Sequence, residues 1–340
     1  MQPPLFLQPV FKERIWGGTA LRERFGYDIP SDHTGECWAI SGHPNGESIV
    51  REGPYQGMSL GTLWNRHREL FGHFPGESFP LLTKILDASE DLSVQVHPDD
   101  AYAHDHENGE RGKTECWYIL DCQPGAELIF GHYAQTREEL EQKIHRGEWS
   151  SLLRKVPIRP GDFFYVPSGT IHALCAGTLV LETQQSSDTT YRLYDYDRRD
   201  GKGNRRELHI NQALDVIQVP HHSHQMEQKA TRLPSVHIVH LVKSPYFSVF
   251  KWSIQGEAAF PSPHPFMLAS VIAGNGELLC ETGSFPFRKG DHLIFPAKMG
   301  SFQIHGQSEW ILSCPEQKTT AEMVAPQSYS RSPVDGPATS

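Results

Sequence analysis

Three short segments of this chain carry side chains able to hold a divalent cation. In Leu92-Ser-Val-Gln-Val-His-Pro98, Gln95 and His97 stand two residues apart. On a strand both point to the same face, so an amide oxygen and an imidazole project side by side. Lys113-Thr-Glu-Cys-Trp-Tyr118 repeats that spacing with Lys113 and Glu115. The third segment runs from Gly161 through Pro167 and Gly169 to His172, and its Pro-Ser-Gly turn delivers His172 to the start of a strand. A single His or Glu on a strand is usually solvated or already satisfied, and i, i+2 pairs arise by chance. Gly, Pro, Gly and His at fixed offsets are harder to reach by accident. Two histidines and a glutamate make a metal set with an open position, the pattern of catalytic zinc, and Gln95 offers a fourth, oxygen ligand.

Positioning such groups needs strands. The runs Glu127–Phe130, Asp162–Val166 and Gly177–Glu182 are short, apolar and bounded by Gly or Pro. Helices are expected over Ser59–Phe71, from the capping box Thr136-Arg-Glu-Glu139 to about Trp149, and more weakly over 208–216. One unit is used twice: Gly161-Asp162 and Gly290-Asp291 each precede an apolar strand, with Pro167 and Pro296 at the same offset. The chain therefore reads as mainly β, with two tandem β-barrels and a few helical insertions. The expected partition is a metal-binding barrel over 1–225, a second barrel over 226–315, and a disordered tail over 316–340. His221-His-Ser-His224 falls near the join as a linker. In the second unit Ser301 stands where His172 would, and Lys298 where Gly169 would, so that barrel is expected to be metal-free and structural.

Composition narrows the partners. The 340 residues carry 31 Lys and Arg against 41 Asp and Glu, a formal charge of −10, which disfavours nucleic acid and anionic membrane as main partners. No apolar run is long enough to span a bilayer. The six cysteines are scattered without a Cys-x-x-Cys pair, and the opening Met-Gln-Pro-Pro-Leu has no secretory pattern, so a cytoplasmic location is expected. His104-Asp-His106 and His221–His224 look like metal tracts but read as polar loops.

The quoted segments, with Pro80–Ala88, Gln184–Arg198, Trp16-Gly-Gly18 and Gly35–Pro44, resemble class I mannose-6-phosphate isomerases of the short bacterial form, within the cupin superfamily. The resemblance spans roughly residues 5 to 315, with its motifs in order, and turns the two barrels into a bicupin. It implies a zinc-dependent aldose–ketose isomerase that interconverts mannose 6-phosphate and fructose 6-phosphate through an enediol. One Zn²⁺ per chain would be held by Gln95, His97, Glu115 and His172. Lys113 matches the family's active-site lysine, Arg192 its arginine near the substrate, and Asp188 an acid associated with ring opening. Lys84 and Ser41 are further candidates for substrate contact, and His43 for the rim. The sequence departs from the general cupin pattern, since Gln95 replaces a histidine and Ala176 stands where an Asn is common, and both departures match the isomerase branch better than dioxygenases. Gly112 stands before Lys113 where some larger family members carry a His, so no general base is assigned there.

Two other readings compete. An iron cupin dioxygenase would favour three histidines, or two and a carboxylate, with no need of a phosphate-binding arginine. A non-catalytic, sugar-sensing bicupin would be expected to lack a ligand, yet all four candidates are present. Without the resemblance, the residues read as a metal-binding double barrel with room for an anionic substrate.

Overall fold

The computed structural model describes residues 1–199, 202–224, 227–263 and 265–316, so the expected disordered tail lies, except for Glu316, outside the described residues. The first half builds two sheets. One has six strands in the order Phe163–Val166, Glu115–Cys122, Thr178–Gln185, Leu81–Ala88, Thr34–Ser41 and Val10–Gly18. The other has five: Tyr191–Tyr194, Val94–Val96, His172–Leu174, Glu127–His132 and Leu153–Pro157. The expected barrels take the form of facing, curved sheets that do not close by hydrogen bonding. Leu86, Trp117 and Val180 from the first sheet meet Leu128 and Leu174 from the second in one buried cluster.

The outward face of each sheet is covered as well. Ile85, Cys116, Tyr118 and Leu181 pack against Leu241, Val249, Leu268 and Ile311 of the second half. On the five-stranded sheet, Val94, Val96, Ile129 and Ala173 are covered by Leu140 and Ile144 of one helix and Ala213 and Val216 of another. Strands covered on both faces are buried along their whole length, as Leu81–Ala88 and Thr178–Gln185 are. Any polar residue within them must find a partner inside the protein.

The helices are shorter than expected. Ser59 caps Leu60–Arg66, and Arg68–Phe71 is a separate 3₁₀ turn. The Thr136 hydroxyl accepts from the Glu139 N–H, and the Glu139 carboxylate in turn accepts from Gln135 N–H at 2.8 Å. That helix ends at His145, because Gly147 (φ 68°) turns the chain before a short helix at Trp149–Leu152. The third is Ile210–Val216. Two helices escaped the sequence reading, Ala20–Phe25 and Asp100–His106. The second corrects the placement of His104 and His106 in a polar loop: Asp99 accepts from Tyr102 N–H and starts a helix there.

The internal repeat is conserved at the level of single hydrogen bonds. Asp162 and Asp291 each accept, with a side-chain oxygen, from the backbone N–H three residues back, Arg159 and Arg288. Gly161 and Gly290 both sit at positive φ, 92° and 91°, which the tight turn requires. Thr170 N–H then bonds Pro167 C=O as Met299 N–H bonds Pro296 C=O. The nine-stranded sheet of the second half also recruits the N-terminus. Leu5–Gln8 pairs with His292–Phe295 on one side and with Ile49–Val50 on the other. Residues His221–His224 have no regular structure, and His221 packs edge-on to Phe130.

Candidate active site

Register places the candidate ligands. Directly opposed residues in an antiparallel pair share a face. Gln95 lies opposite both His172 and Arg192, so Arg192, Gln95 and His172 form one row across the five-stranded sheet. On the facing sheet, Glu115 lies opposite Gln184, and Trp117, Glu182, Lys84 and Trp38 form the next row. The two rows meet inside the first unit.

His97, Glu115 and His172 are 1 %, 0 % and 1 % exposed, and their ligand atoms lie within 4.8 Å of one another. Nε2 of His97 is 3.3 Å from one Glu115 oxygen, and Nε2 of His172 is 3.4 Å from the other. A tetrahedral ion with bonds of ~2.0–2.1 Å would separate its ligands by roughly this much. Each imidazole turns Nδ1 to a backbone carbonyl, His97 to Thr189 and His172 to Thr170, both at 2.9 Å. That fixes the tautomer with Nε2 bare and facing inward.

Electrostatics suit a cation. Burial, then the Lys113 charge, push His97 down to about 3, and burial lowers His172, so both rings are neutral. Burial pushes the Glu115 carboxyl up, but the neighbouring Lys113 charge outweighs it and holds it well below the usual range. Among the described residues the ionised carboxylate finds no aligned hydrogen bond at either oxygen. Its close neighbour is the Lys113 ammonium, 2.8 Å from Glu115 and 3.0 Å from Nε2 of His97, in ion-pair contact without hydrogen-bond alignment to the carboxylate. A buried carboxylate and two bare ring nitrogens around one point fit a divalent metal. Gln95 presents its amide to Nε2 of His172 at 3.3 Å, and a half-turn of the amide would put its oxygen there.

The other candidates are spread over the pocket and its rim. Lys84 is buried, 3.8 Å from Glu182 and 3.9 Å from Glu36, above the Trp38 ring. Arg192 is half-buried; Nε donates to Ser93 Oγ at 3.3 Å and one terminal nitrogen to Glu207 C=O at 2.8 Å. Burial, then the Arg206 charge, lower its pKa. Asp188 is exposed and accepts from the Asn45 side chain at 3.0 Å. Its charge reaches Lys113 and His43. Ser41 is fully buried, and its hydroxyl accepts from His43 N–H, so it braces the turn behind Asp188. The Nε2 of His43 is buried without a hydrogen-bond partner among the described residues.

The sequence reading missed Glu182 and Glu36. Glu182 accepts from the Trp117 indole at 2.9 Å; burial and the Glu115 charge raise its pKa. Glu36 accepts from the Trp38 indole at 2.5 Å and from Arg14 at 2.6 Å. A usable signal was present: in Leu179-Val-Leu-Glu-Thr-Gln184, Val180, Glu182 and Gln184 alternate onto one face of a strand too apolar to be exposed.

Facing sheets of the cupin type, with a buried His–Glu–His cluster in the first unit, define a two-unit cupin protein bearing a metal-ligand set. Residues 5–119 match the model of the phosphomannose isomerase type I catalytic domain, and residues 237–315 that of the mannose-6-phosphate isomerase cupin domain. The chain is 56% identical to mannose-6-phosphate isomerase ManA of Bacillus subtilis, over 91% of this chain and 98% of that protein. It is 52% identical to mannose-6-phosphate isomerase of Streptococcus mutans, over 92% and 98%. A crystal structure of the mannose 6-phosphate isomerase from Bacillus subtilis superposes with a TM-score of 0.91 at 55% identity, covering 92% of this chain and all of that one. This chain belongs to the type I mannose-6-phosphate isomerase family.

Proposed function

We propose that the chain interconverts mannose 6-phosphate and fructose 6-phosphate, with one zinc ion held by Gln95, His97, Glu115 and His172. The observation that carries this is the buried Glu115 carboxylate, facing two bare imidazole nitrogens with Lys113 beside them. When bound, the ion would polarise the substrate's carbonyl and hydroxyl oxygens and so ease removal of the C–H proton.

The remaining work falls to side chains. Burial pushes Lys113 down, but Glu115 and Glu182 outweigh it and keep the amine protonated, a fixed charge where negative charge grows on the C1–C2 oxygens. Glu182, raised by burial, suits a group that takes and returns a proton, and Lys84 beside it holds the carboxylate in place. Arg192 offers a planar fork to the phosphate dianion. Asp188, tethered by Asn45 at the rim, is the acid for ring opening. The active unit is assigned to 1–225 and the supporting unit to 226–315. No helix among the described residues is long and apolar enough to cross a membrane, and we assign the chain to the cytoplasm.

A coupled assay for fructose 6-phosphate formed from mannose 6-phosphate tests the reading. Activity should vanish on chelation and return with added Zn²⁺. A folded, zinc-loaded sample that forms no product would reject it.

A further inference from the structure

A cavity of about 380 Å³ opens on the outside of the first unit, at its junction with the second. Arg24, Tyr118 and Asp121 line it from one half, and Lys251, Lys289 and Glu309 from the other. Its volume falls in the range of small-molecule sites. Three cations converge on it in a chain whose formal charge is −10. Two of them are paired: Arg24 with Asp121 at 2.7 Å, and Lys251 with Glu309 at 3.1 Å. Both pairs leave donors over, because a guanidinium has five N–H groups and an ammonium three.

Lys289 is different. Among the described residues no carboxylate lies within ion-pair distance of its ammonium, which sits 4.6 Å from the centre of the Phe25 ring. Burial, then the Arg24 charge, lower its pKa. An ammonium that is partly desolvated and next to another cation, with Asp121 acting on it only from beyond ion-pair distance, is stabilised further by an anion brought in from solution. Tyr118, whose ring centre lies 5.5 Å from the Lys251 ammonium, adds a hydroxyl, while Phe25, Leu120 and Ile272 supply an apolar wall for a carbon skeleton.

We propose that this junction cavity is a second, non-catalytic anion site that takes a small phosphate monoester through Arg24, Lys251 and Lys289. The site is built on the back of the strand that carries Glu115. Tyr118 belongs to that strand, and Gly161, which also lines the cavity, opens the turn toward His172. A bound anion would thus tie the second unit to two of the three segments that present metal ligands.

Equilibrium dialysis of the full chain with radiolabelled inorganic phosphate tests this. Wild type should bind two equivalents. Lys289→Gln should bind one and keep its kcat/KM for mannose 6-phosphate in phosphate-free buffer. Arg192→Ala should lose the other equivalent, and the double variant both. Two equivalents on Lys289→Gln, or a single wild-type equivalent that Arg192→Ala removes, would overturn the proposal. If Arg192→Ala keeps both equivalents while Lys289→Gln loses one, the junction site stands and the phosphate role of Arg192 falls.

Discussion

The Nδ1–H of His97 donates to the Thr189 carbonyl at 2.9 Å, joining a metal-ligand candidate to the segment that carries both Asp188 and Arg192. The carbonyl sets the ring's tautomer and its angle, so the metal pocket and the substrate rim are ordered together. Removing the ring should cost the metal without unfolding the sheets. His97→Ala should lower bound zinc by more than about tenfold, measured by atomic absorption, while far-UV circular dichroism stays unchanged. Full zinc occupancy in that variant would remove His97 from the ligand set.

Glu182 and Lys84 should act as a unit. Glu182→Leu leaves the ammonium of Lys84 with Glu36, at 3.9 Å, as its one carboxylate within ion-pair distance among the described residues and removes the acceptor of the Trp117 indole, and is expected to cost about 3–5 kcal/mol in urea denaturation. Adding Lys84→Met should recover part of that loss, giving a coupling of about 1 kcal/mol or more. Additive losses would show that the 3.8 Å contact contributes nothing.

Arg192→Ala should raise KM for mannose 6-phosphate by about 10–100-fold, the effect of losing a charged hydrogen bond of ~1.5–3 kcal/mol. The change in kcat should be smaller. An unchanged KM in initial-rate measurements would place the phosphate elsewhere.

Glu36 predicts a pH dependence of stability. Burial pushes its carboxyl up, but Lys84, Arg14 and the Trp38 indole outweigh this and hold it at about 2, against 4.5 unperturbed. The folded state therefore binds its proton less readily than the unfolded chain. The stabilisation is complete above pH ~4.5, on the order of 3 kcal/mol, and disappears as pH falls toward 2. The gap in urea midpoint between wild type and Glu36→Gln should be widest near neutral pH and close across that window. A gap independent of pH would refute the assignment.

The repeated turn predicts a purely structural effect in the second unit. Asp291 accepts from Arg288 N–H and from the Arg51 guanidinium, both at 2.8 Å. Asp291→Ala should lower stability by ~2 kcal/mol, seen as a lower Tm, with zinc content unchanged. Loss of zinc there would mean that the two units do not separate ligand binding from scaffolding.

The i, i+2 spacing of Gln95 and His97, the turn before His172, and the duplicated Gly-Asp-strand-Pro unit were legible because each depends on local geometry alone: strand alternation, a positive φ, a proline's fixed φ. Helix ends were less legible, since Gly147 and Asp99 compete with neighbouring signals of similar strength. Glu182 shows the limit more clearly. A glutamate between Leu181 and Thr183 fits an edge strand as well as a central one, and only the sheet order tells which.

The sequence by itself determined which side chains could bind a metal and which strands could carry them, because residue type and alternation are written in short stretches. Which strands face each other was decided only in three dimensions. Lys113 meets His97, Trp117 holds Glu182, and Leu5–Gln8 joins the sheet of the far half through contacts between distant segments. Their pairing is selected by burial of whole faces at once, a property of the assembled sheets that no single segment contains.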